Sequence, residues 1–215
     1  RSVFGDNKFQ QGSSGGFGDQ GYSFGYCIPQ LRSWKEFLRA YNHAAGLDLQ
    51  TDGLQRQLMT SGIFMGDNRT AYLELKRIAD GLTARGFTVT REKIETVPWH
   101  PAAPSEQSSV AMPPNCYFES HIQTVLDETR RTELTDLLNS HGAKLSRNVF
   151  KKISTSESVI MITFRRSDVN YETFTGLIGD LENDLKERNF SVEKTIIEFS
   201  IFDSNISNDK GWISS

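Results

Sequence analysis

The stretch NYETFTGLIGDLENDLKERNFSVEKTIIEFSIFD, residues 170–203, decides the predicted fold class because it contains one clear helix pattern and one clear strand pattern. Its last part alternates, with Ile197, Phe199 and Ile201 separated by single residues, as in a strand with one buried face. Its first part has apolar residues three and four positions apart, which is the spacing of one helix face: Phe174, Leu177, Ile178, Leu181 and Leu185. A helix followed by a strand is therefore predicted.

The residues before this stretch add three strands and a second helix. They are the strand CYFESHIQTVL (116–126), the helix RRTELTDLLNSHG (130–142), and the strands AKLSRNVFKK (143–152) and SVIMITFRR (158–166). The resulting order β-α-β-β-α-β is that of the ferredoxin-like unit, in which an antiparallel sheet carries both helices on one face. We expect an α+β fold with a ferredoxin-like domain at 115–215.

The first half of the chain contains a weaker echo of this unit. A shift of about 103 residues sets LKRIADGLTARGFTVTREKIE (75–95) beside LIGDLENDLKERNFSVEKTIIE (177–198), so helix, turn and strand recur in the same order. An amphipathic pattern at 31–45 predicts a further helix, and residues 71–86 predict another with Leu73 and Leu75 on its apolar face. Alternation from Phe87 onward predicts the strand that follows it. Residues 31–100 are therefore predicted as a degraded ferredoxin-like copy, followed by a linker at 101–114 that is rich in Pro, Ser and Ala.

Residues 1–30 are predicted as an extended arm because their Gly, Ser and Gln content shows neither helical nor strand periodicity. Such a segment orders only when it lies on a surface, either its own globular part or a partner. Aromatic side chains punctuate the arm, and we expect them to bind a partner protein: Phe4, Phe9, Phe17, Tyr22, Phe24 and Tyr26.

Composition excludes several classes of protein. The 24 Lys and Arg residues are outnumbered by 27 Asp and Glu, with no basic block and no aromatic RNA-recognition motif, so DNA is excluded as a partner and RNA is disfavoured. No apolar run reaches the roughly 20 residues that span a bilayer. Cys27 and Cys116 have no ligand-like neighbours, which favours a reducing intracellular compartment, with a plastid or mitochondrion as one setting.

Alternation along the strand 116–126 places Glu119 and His121 on one sheet face and Phe118 and Ile122 on the other. If the apolar face meets the helices, a half-solvated polar face remains. This face could bind a small anionic ligand, or its side chains could simply stabilise the sheet through cross-strand pairs. The candidate ligand residues are Glu95, Glu119, His121, Arg147 and Asn148.

The end of the chain reads as a latch that follows the last strand. Asp203 to Asp209 begin like a calcium loop but lack its turn glycine and its final glutamate, so no metal is expected there. Asx turns at the strand end and Trp212 over the core edge are predicted instead. His141, directly before Gly142, is predicted as the last residue of a helix.

Four short segments are shared with a known group of proteins: KIETVPWH (93–100), CYFESHI (116–122), HGAKLSRN (141–148) and IFDSNISNDKGW (201–212). In this order they resemble a bacterial protein family with the motifs KIE-x-x-PW, YFE-x-H, HGA-x-LSRN and YDSN-x-x-x-D-x-GW. His100 departs from this pattern, in which an Asn follows the Pro-Trp pair. The resemblance implies a common fold for the matching part and carries over no activity, cofactor or catalytic residue.

These observations favour a non-catalytic accessory or linker subunit of a larger protein assembly. It would dock through a ferredoxin-like body and the aromatic arm, and it needs no cofactor. The alternative is an enzyme or regulator that binds a small anionic ligand around His121, Arg147 and Glu119.

Overall fold

A computed structural model describes residues 20–28 and 58–206, leaving out the side chains of 20–28, 58–60 and 147–150. The chain divides into two compact units, Arg1–Ile94 and Glu95–Ser215. The fold is mixed α+β with an antiparallel sheet, as predicted. The predicted helix at 31–45, Phe4, Phe9 and Phe17 of the arm, and residues 207–215 with Trp212 lie outside the described residues.

The first unit contains two antiparallel strands, β1 (Gln20–Ile28) and β2 (Leu58–Gly66), and the helix α1 (Asn68–Thr83). Strand β1 lies within the segment predicted as an extended arm, and it contains Tyr22, Phe24 and Tyr26. A stretch without periodicity takes strand form here because β2 provides the hydrogen-bonding partner.

Helix α1 begins after the N-cap residue Asp67, which forms a capping box with Thr70. The Asp67 carboxylate accepts a hydrogen bond from the Thr70 N–H at 2.7 Å, and the Thr70 hydroxyl lies 3.1 Å from the Asp67 N–H that donates to it. Leu73 was expected on the buried face but is 54% exposed, because the buried stripe follows another set of positions: Ala71, Leu75, Ala79 and Leu82.

Strand β3 covers Arg91–Thr96 and is shorter than the strand predicted from Phe87 onward. Phe87 belongs instead to the end of α1: its N–H donates to the Leu82 carbonyl at 3.1 Å, and its ring packs on Leu82. Phe87 thus alternates with its neighbours as in a strand, but a hydrogen bond to the C-terminal end of α1 keeps it out of β3.

The second unit contains four strands and two helices among its described residues. Its elements are β4 (Tyr117–Asp127), a short 3₁₀ turn, α2 (Arg131–His141), β5 (Lys144–Lys152), β6 (Glu157–Arg166), α3 (Tyr171–Glu187) and β7 (Lys194–Asp203). The four strands lie in the order β7-β4-β6-β5, and each neighbouring pair is antiparallel. Strand β4 therefore occupies the interior of this sheet, between β7 and β6.

The core of the second unit joins one sheet face to both helices. Phe118 lies at its centre, with ring centroids 5.1 Å from Phe199 and 5.4 Å from Phe174. Leu134, Leu138, Ile178 and Leu181 from α2 and α3 belong to the same core. Because the helices cover this face, the other face of β4 carries the polar side chains that sequence analysis selected.

The segment 101–114, predicted as a linker, lies within the second unit. Ala103 is buried in the core, the Pro104 carbonyl accepts from the Tyr171 N–H at 2.9 Å, and Glu106 N–H donates to Glu172 at 2.9 Å. The division between the units falls earlier, between Ile94 and Glu95. Composition alone suggests an exposed connection, whereas these contacts tie the segment to α3.

Candidate functional site

Strand β4 presents Tyr117, Glu119 and His121 on one face of the sheet, as its alternation predicts. The opposite residues Phe118 and Ile122 are fully buried in the helix-side core. We call the face that carries Glu119 the polar face. It is built from β4, β6 and β7, because residues directly opposite in an antiparallel pair point the same way.

Glu119 and Arg165 form the centre of the polar face. They are opposite one another on β4 and β6, and the Glu119 Oε1 atom lies 2.8 Å from Arg165 Nε and 2.6 Å from Arg165 Nη2. The side chains are only 1% and 9% exposed. The sequence pattern does not identify Arg165 as part of this face, because only the pairing register of β4 with β6 shows that it is opposite Glu119.

His121 extends the same network by one pair along the sheet. Its Nδ1 atom lies 3.2 Å from the hydroxyl of Thr163, which is opposite it on β6. Its Nε2 atom lies 3.5 Å from Glu119 Oε1. The imidazole is thus held at both ring nitrogens.

Tyr117 and Asp203 form a second buried contact at the end of this face. The Tyr117 hydroxyl donates to Asp203 Oδ2 at 2.8 Å, and the Arg165 guanidinium lies 5.5 Å from the centre of the Tyr117 ring. Asp203 also accepts from the Asn205 N–H at 3.1 Å, which is the Asx turn expected at the end of the last strand. Asp203 thereby fastens the end of β7 to β4.

The polar face is buried at the end that carries Tyr117 and Glu119, whereas His121 is partly exposed, so the half-solvated face expected holds only from His121 onward. Tyr117 is 0% exposed and Glu119 1%. Burial of these groups is tolerated because they are hydrogen-bonded or paired in charge. The same burial limits the space for a substrate of appreciable size.

Glu95 approaches this network from the end of β3. A carboxylate oxygen of Glu95, one of Glu119 and a ring nitrogen of His121 all lie within 4.8 Å of one another. Three of the five residues selected from the sequence are therefore brought together. Glu198, opposite Glu119 on β7, faces the same side.

The other two selected residues, Arg147 and Asn148, lie on β5, and their side chains are outside the described part of the chain. The pairing of β5 with β6 shifts register between Leu145 and Val149. Simple alternation therefore does not assign these two residues to a face.

His100 is a buried histidine that the sequence identified only as a departure from a motif. It is 5% exposed, its Nδ1 accepts a hydrogen bond from the Ala102 N–H at 3.0 Å, and its ring stacks with Phe199 at 6.5 Å. Burial lowers the pKa of this imidazole below its ordinary value. His100 therefore packs the turn at 97–103 against the core.

His141 ends α2, as predicted, and Gly142 follows in the left-handed conformation with φ of 71°. The His141 ring contacts Asp184 of α3, with Nε2 and Oδ2 2.8 Å apart. This pair lies on the helix side of the sheet, so it joins α2 to α3 and is separate from the polar face.

Comparison with known proteins gives no assignment: no family model matches this chain, and no curated protein matches it significantly. The resemblance to the bacterial motif family therefore stays a prediction. No helix among the described residues is long and apolar enough to cross a membrane.

The arrangement has a restricted chemistry. It provides two carboxylates and one imidazole with ligand atoms within 4.8 Å of one another, and one guanidinium that contacts the Glu119 carboxylate. Carboxylate and imidazole groups can take or release protons or hold a cation. The guanidinium is engaged by Glu119 in this structure.

Proposed function

We propose that the chain is a non-catalytic accessory subunit that docks onto another protein of a larger assembly. One observation carries the proposal: β2 is an uncharged strand with a described neighbour, β1, on one side only, and it exposes large apolar side chains. Edge strands of proteins that work alone are usually protected by charges, prolines or bulges.

Strands β1 and β2 have an unusual composition for strands at the edge of a sheet. Neither QGYSFGYCI of β1 nor LMTSGIFMG of β2 contains a charged residue or a proline. Their pairing is continuous over nine residues without an irregularity. A long, regular, uncharged edge suits addition of a strand from a partner, in which main-chain hydrogen bonds provide affinity.

The exposed side chains of β2 would provide specificity. Ile63 is 61% exposed and Met65 57%, and both point to the same face because they are two residues apart. Interface centres are poor in charge and enriched in methionine and aromatic residues. We infer that Ile63 and Met65 insert into apolar pockets of the partner.

The second unit provides the body of the subunit, and we propose that it is a ferredoxin-like βαββαβ domain. The strand order β7-β4-β6-β5 with antiparallel neighbours supports this assignment, as does the packing of α2 and α3 on one core. Trp99 on this unit is 67% exposed, a second place where a partner could cover an aromatic side chain. The degraded copy at 31–100 stays a prediction.

The N-terminal aromatic residues would extend the docking surface. Phe4, Phe9 and Phe17 precede β1 in the chain, so a partner that covers the edge formed with β2 would lie within reach of them. An arm that orders on binding can cover a large area at modest affinity. Binding through these three residues stays a prediction.

The alternative function, binding of a small anion on the polar face, has weaker support. Arg165 and Lys144 both lie on this face, since Lys144 is opposite Thr163 on β6, but the Arg165 guanidinium already contacts Glu119 at 2.6 Å. Three glutamates, at 95, 119 and 198, lie on or beside the same face. An added anion would meet their charge, so the accessory role is preferred.

The test is to express a tagged full chain in its native cells and measure the mass and composition of the particle that carries it. Wild type should purify at a fixed ratio with at least one other protein. The double variant Ile63→Lys/Met65→Lys should be released as a free chain, because a charge at each site cannot enter an apolar pocket.

Leu73→Lys is the matched control, because Leu73 is also an exposed apolar residue of the first unit but lies on α1. It should keep the complex. A wild-type chain that runs alone at native abundance would refute the accessory role. Equal release of the complex by both variants would show that β2 is not the docking edge.

A further inference from the structure

We propose that Glu95, Glu119 and His121 form a binding site for a divalent transition-metal ion, with Zn²⁺ as the reference ion. Their ligand atoms lie within 4.8 Å of one another. Glu119 and His121 belong to β4, and Glu95 belongs to β3. Glu and His at alternate positions of one strand point to the same side, and the third ligand comes from a different strand.

The distance between two of the ligand atoms already suits a metal. His121 Nε2 and Glu119 Oε1 are 3.5 Å apart. Two ligands bound tetrahedrally to zinc at their usual bond lengths stand about 3.4 Å apart. The Glu95 carboxylate supplies the third ligand atom within the same 4.8 Å.

The hydrogen bond on the far side of His121 selects the ring nitrogen that can bind the ion. Nδ1 lies 3.2 Å from the Thr163 hydroxyl. When Nδ1 donates its hydrogen there, the Nε2 lone pair is directed at the two carboxylates. Histidine ligands of metals are commonly oriented in this way by an oxygen acceptor on the other nitrogen.

Arg165 plays the corresponding part for Glu119. Its guanidinium donates to Oε1 through Nε at 2.8 Å and Nη2 at 2.6 Å, which fixes the orientation of a carboxylate that is 1% exposed. A carboxylate can bridge a guanidinium and a metal because it has several lone pairs. The positive charge of Arg165 lowers the affinity for the ion, so we expect binding weaker than in structural zinc sites.

An independent observation on the same face also points to a bound species. The Ser200 hydroxyl is fully buried and has no hydrogen-bond partner among the described residues. Ser200 is opposite Tyr117 on β7 and therefore diagonal to Glu119, on the same side of the sheet. Buried hydroxyls are rarely left unsatisfied, and a water molecule at the Tyr117 end of the polar face would provide the missing partner.

The ligand set determines the class of ion. An imidazole with two carboxylates suits zinc and its first-row neighbours, whereas calcium and magnesium prefer oxygen ligands in larger number. The His121 side chain is 19% exposed, so an ion can reach the site from solvent. This site is independent of the docking edge on β2.

The test is titration of the purified, chelator-treated full chain with Zn²⁺, followed by calorimetry and by thermal unfolding, with Mg²⁺ and Ca²⁺ in parallel. We expect a Zn²⁺ site of one equivalent and a raised Tm. Glu95→Gln and His121→Asn should each weaken binding by about tenfold or more. Co²⁺ should give visible absorption bands that are lost in His121→Asn.

His141→Asn is the control, because it removes a histidine of the same unit that lies on the helix side of the sheet, where its partner is Asp184. It should leave Zn²⁺ binding unchanged. Glu95→Gln leaves the Glu119–Arg165 pair in place, so loss of binding there cannot be attributed to loss of that pair. Absence of saturable Zn²⁺ binding, equal loss in His141→Asn, or tighter binding of Mg²⁺ or Ca²⁺ would each overturn the proposal.

Discussion

Glu119 and Arg165 face one another across β4 and β6 and form a buried ion pair, with 2.6 Å between Oε1 and Nη2. The residues are 46 positions apart in the chain. Removing one partner leaves the other charge buried without its counterpart. The loss of stability from that unpaired charge is larger than the net stabilisation that the intact pair provides.

We therefore expect Glu119→Gln and Arg165→Met each to lower the free energy of unfolding by about 3–5 kcal/mol. The double variant should lose less than the sum of the two, because neither charge then remains. Urea unfolding of the four proteins measures this coupling. Strictly additive losses would show that the two side chains do not stabilise one another.

Tyr117→Phe tests the contact that fastens the end of β7. The substitution removes the hydroxyl that donates to Asp203 at 2.8 Å and keeps the buried ring. Leaving a buried acceptor without this donor should lower the free energy of unfolding by about 1–3 kcal/mol. Urea unfolding is the measurement, and Tyr171→Phe on α3 is the control with a smaller expected effect. Equal losses of stability in Tyr117→Phe and Tyr171→Phe would show that the hydrogen bond to Asp203 does not stabilise the protein.

His100→Asn tests the effect of the buried imidazole on pH dependence. Burial lowers the His100 pKa in the folded protein, while the unfolded chain titrates near the ordinary value of 6.5. Below that pH the unfolded state binds a proton that the folded state resists, so stability falls as the pH falls. The free energy of unfolding of His100→Asn, measured from pH 7.5 to pH 5, should fall less steeply than that of wild type. Parallel curves would contradict this assignment.

Gly142→Ala tests the left-handed residue that ends α2. Its φ is 71°, and an added Cβ would lie 3.0 Å from Nη2 of Arg166, which donates to the His141 carbonyl. We expect a loss of about 1–2 kcal/mol in the free energy of unfolding, because the left-handed region disfavours a Cβ. Gly179→Ala in α3 is the matched control: its Cβ would meet nothing within 4 Å, and it should stabilise the protein. An unchanged or higher stability of Gly142→Ala would contradict the cost assigned to the left-handed conformation.

Local patterns predicted much of the second unit because helix and strand periods are properties of adjacent residues. The spacing of Phe174, Ile178, Leu181 and Leu185 is the buried stripe of α3, and the alternation of β4 separates Phe118 from Glu119. The same reasoning failed for Leu73, which is exposed because the buried stripe of α1 follows other positions. It also failed for Phe87, whose N–H is hydrogen-bonded to the end of α1 and not to a strand.

The sequence by itself determined the mixed α+β class with an antiparallel sheet, and the face of β4 on which Glu119 and His121 lie. Only the tertiary structure decided that Arg165 pairs with Glu119, that Glu95 approaches both carboxylate and imidazole, and that β1 pairs with β2. The physical reason is strand register: which residues become opposite depends on hydrogen bonding and packing between segments far apart in the chain. Burial of Tyr117 and Glu119 on the polar face follows from the same long-range packing.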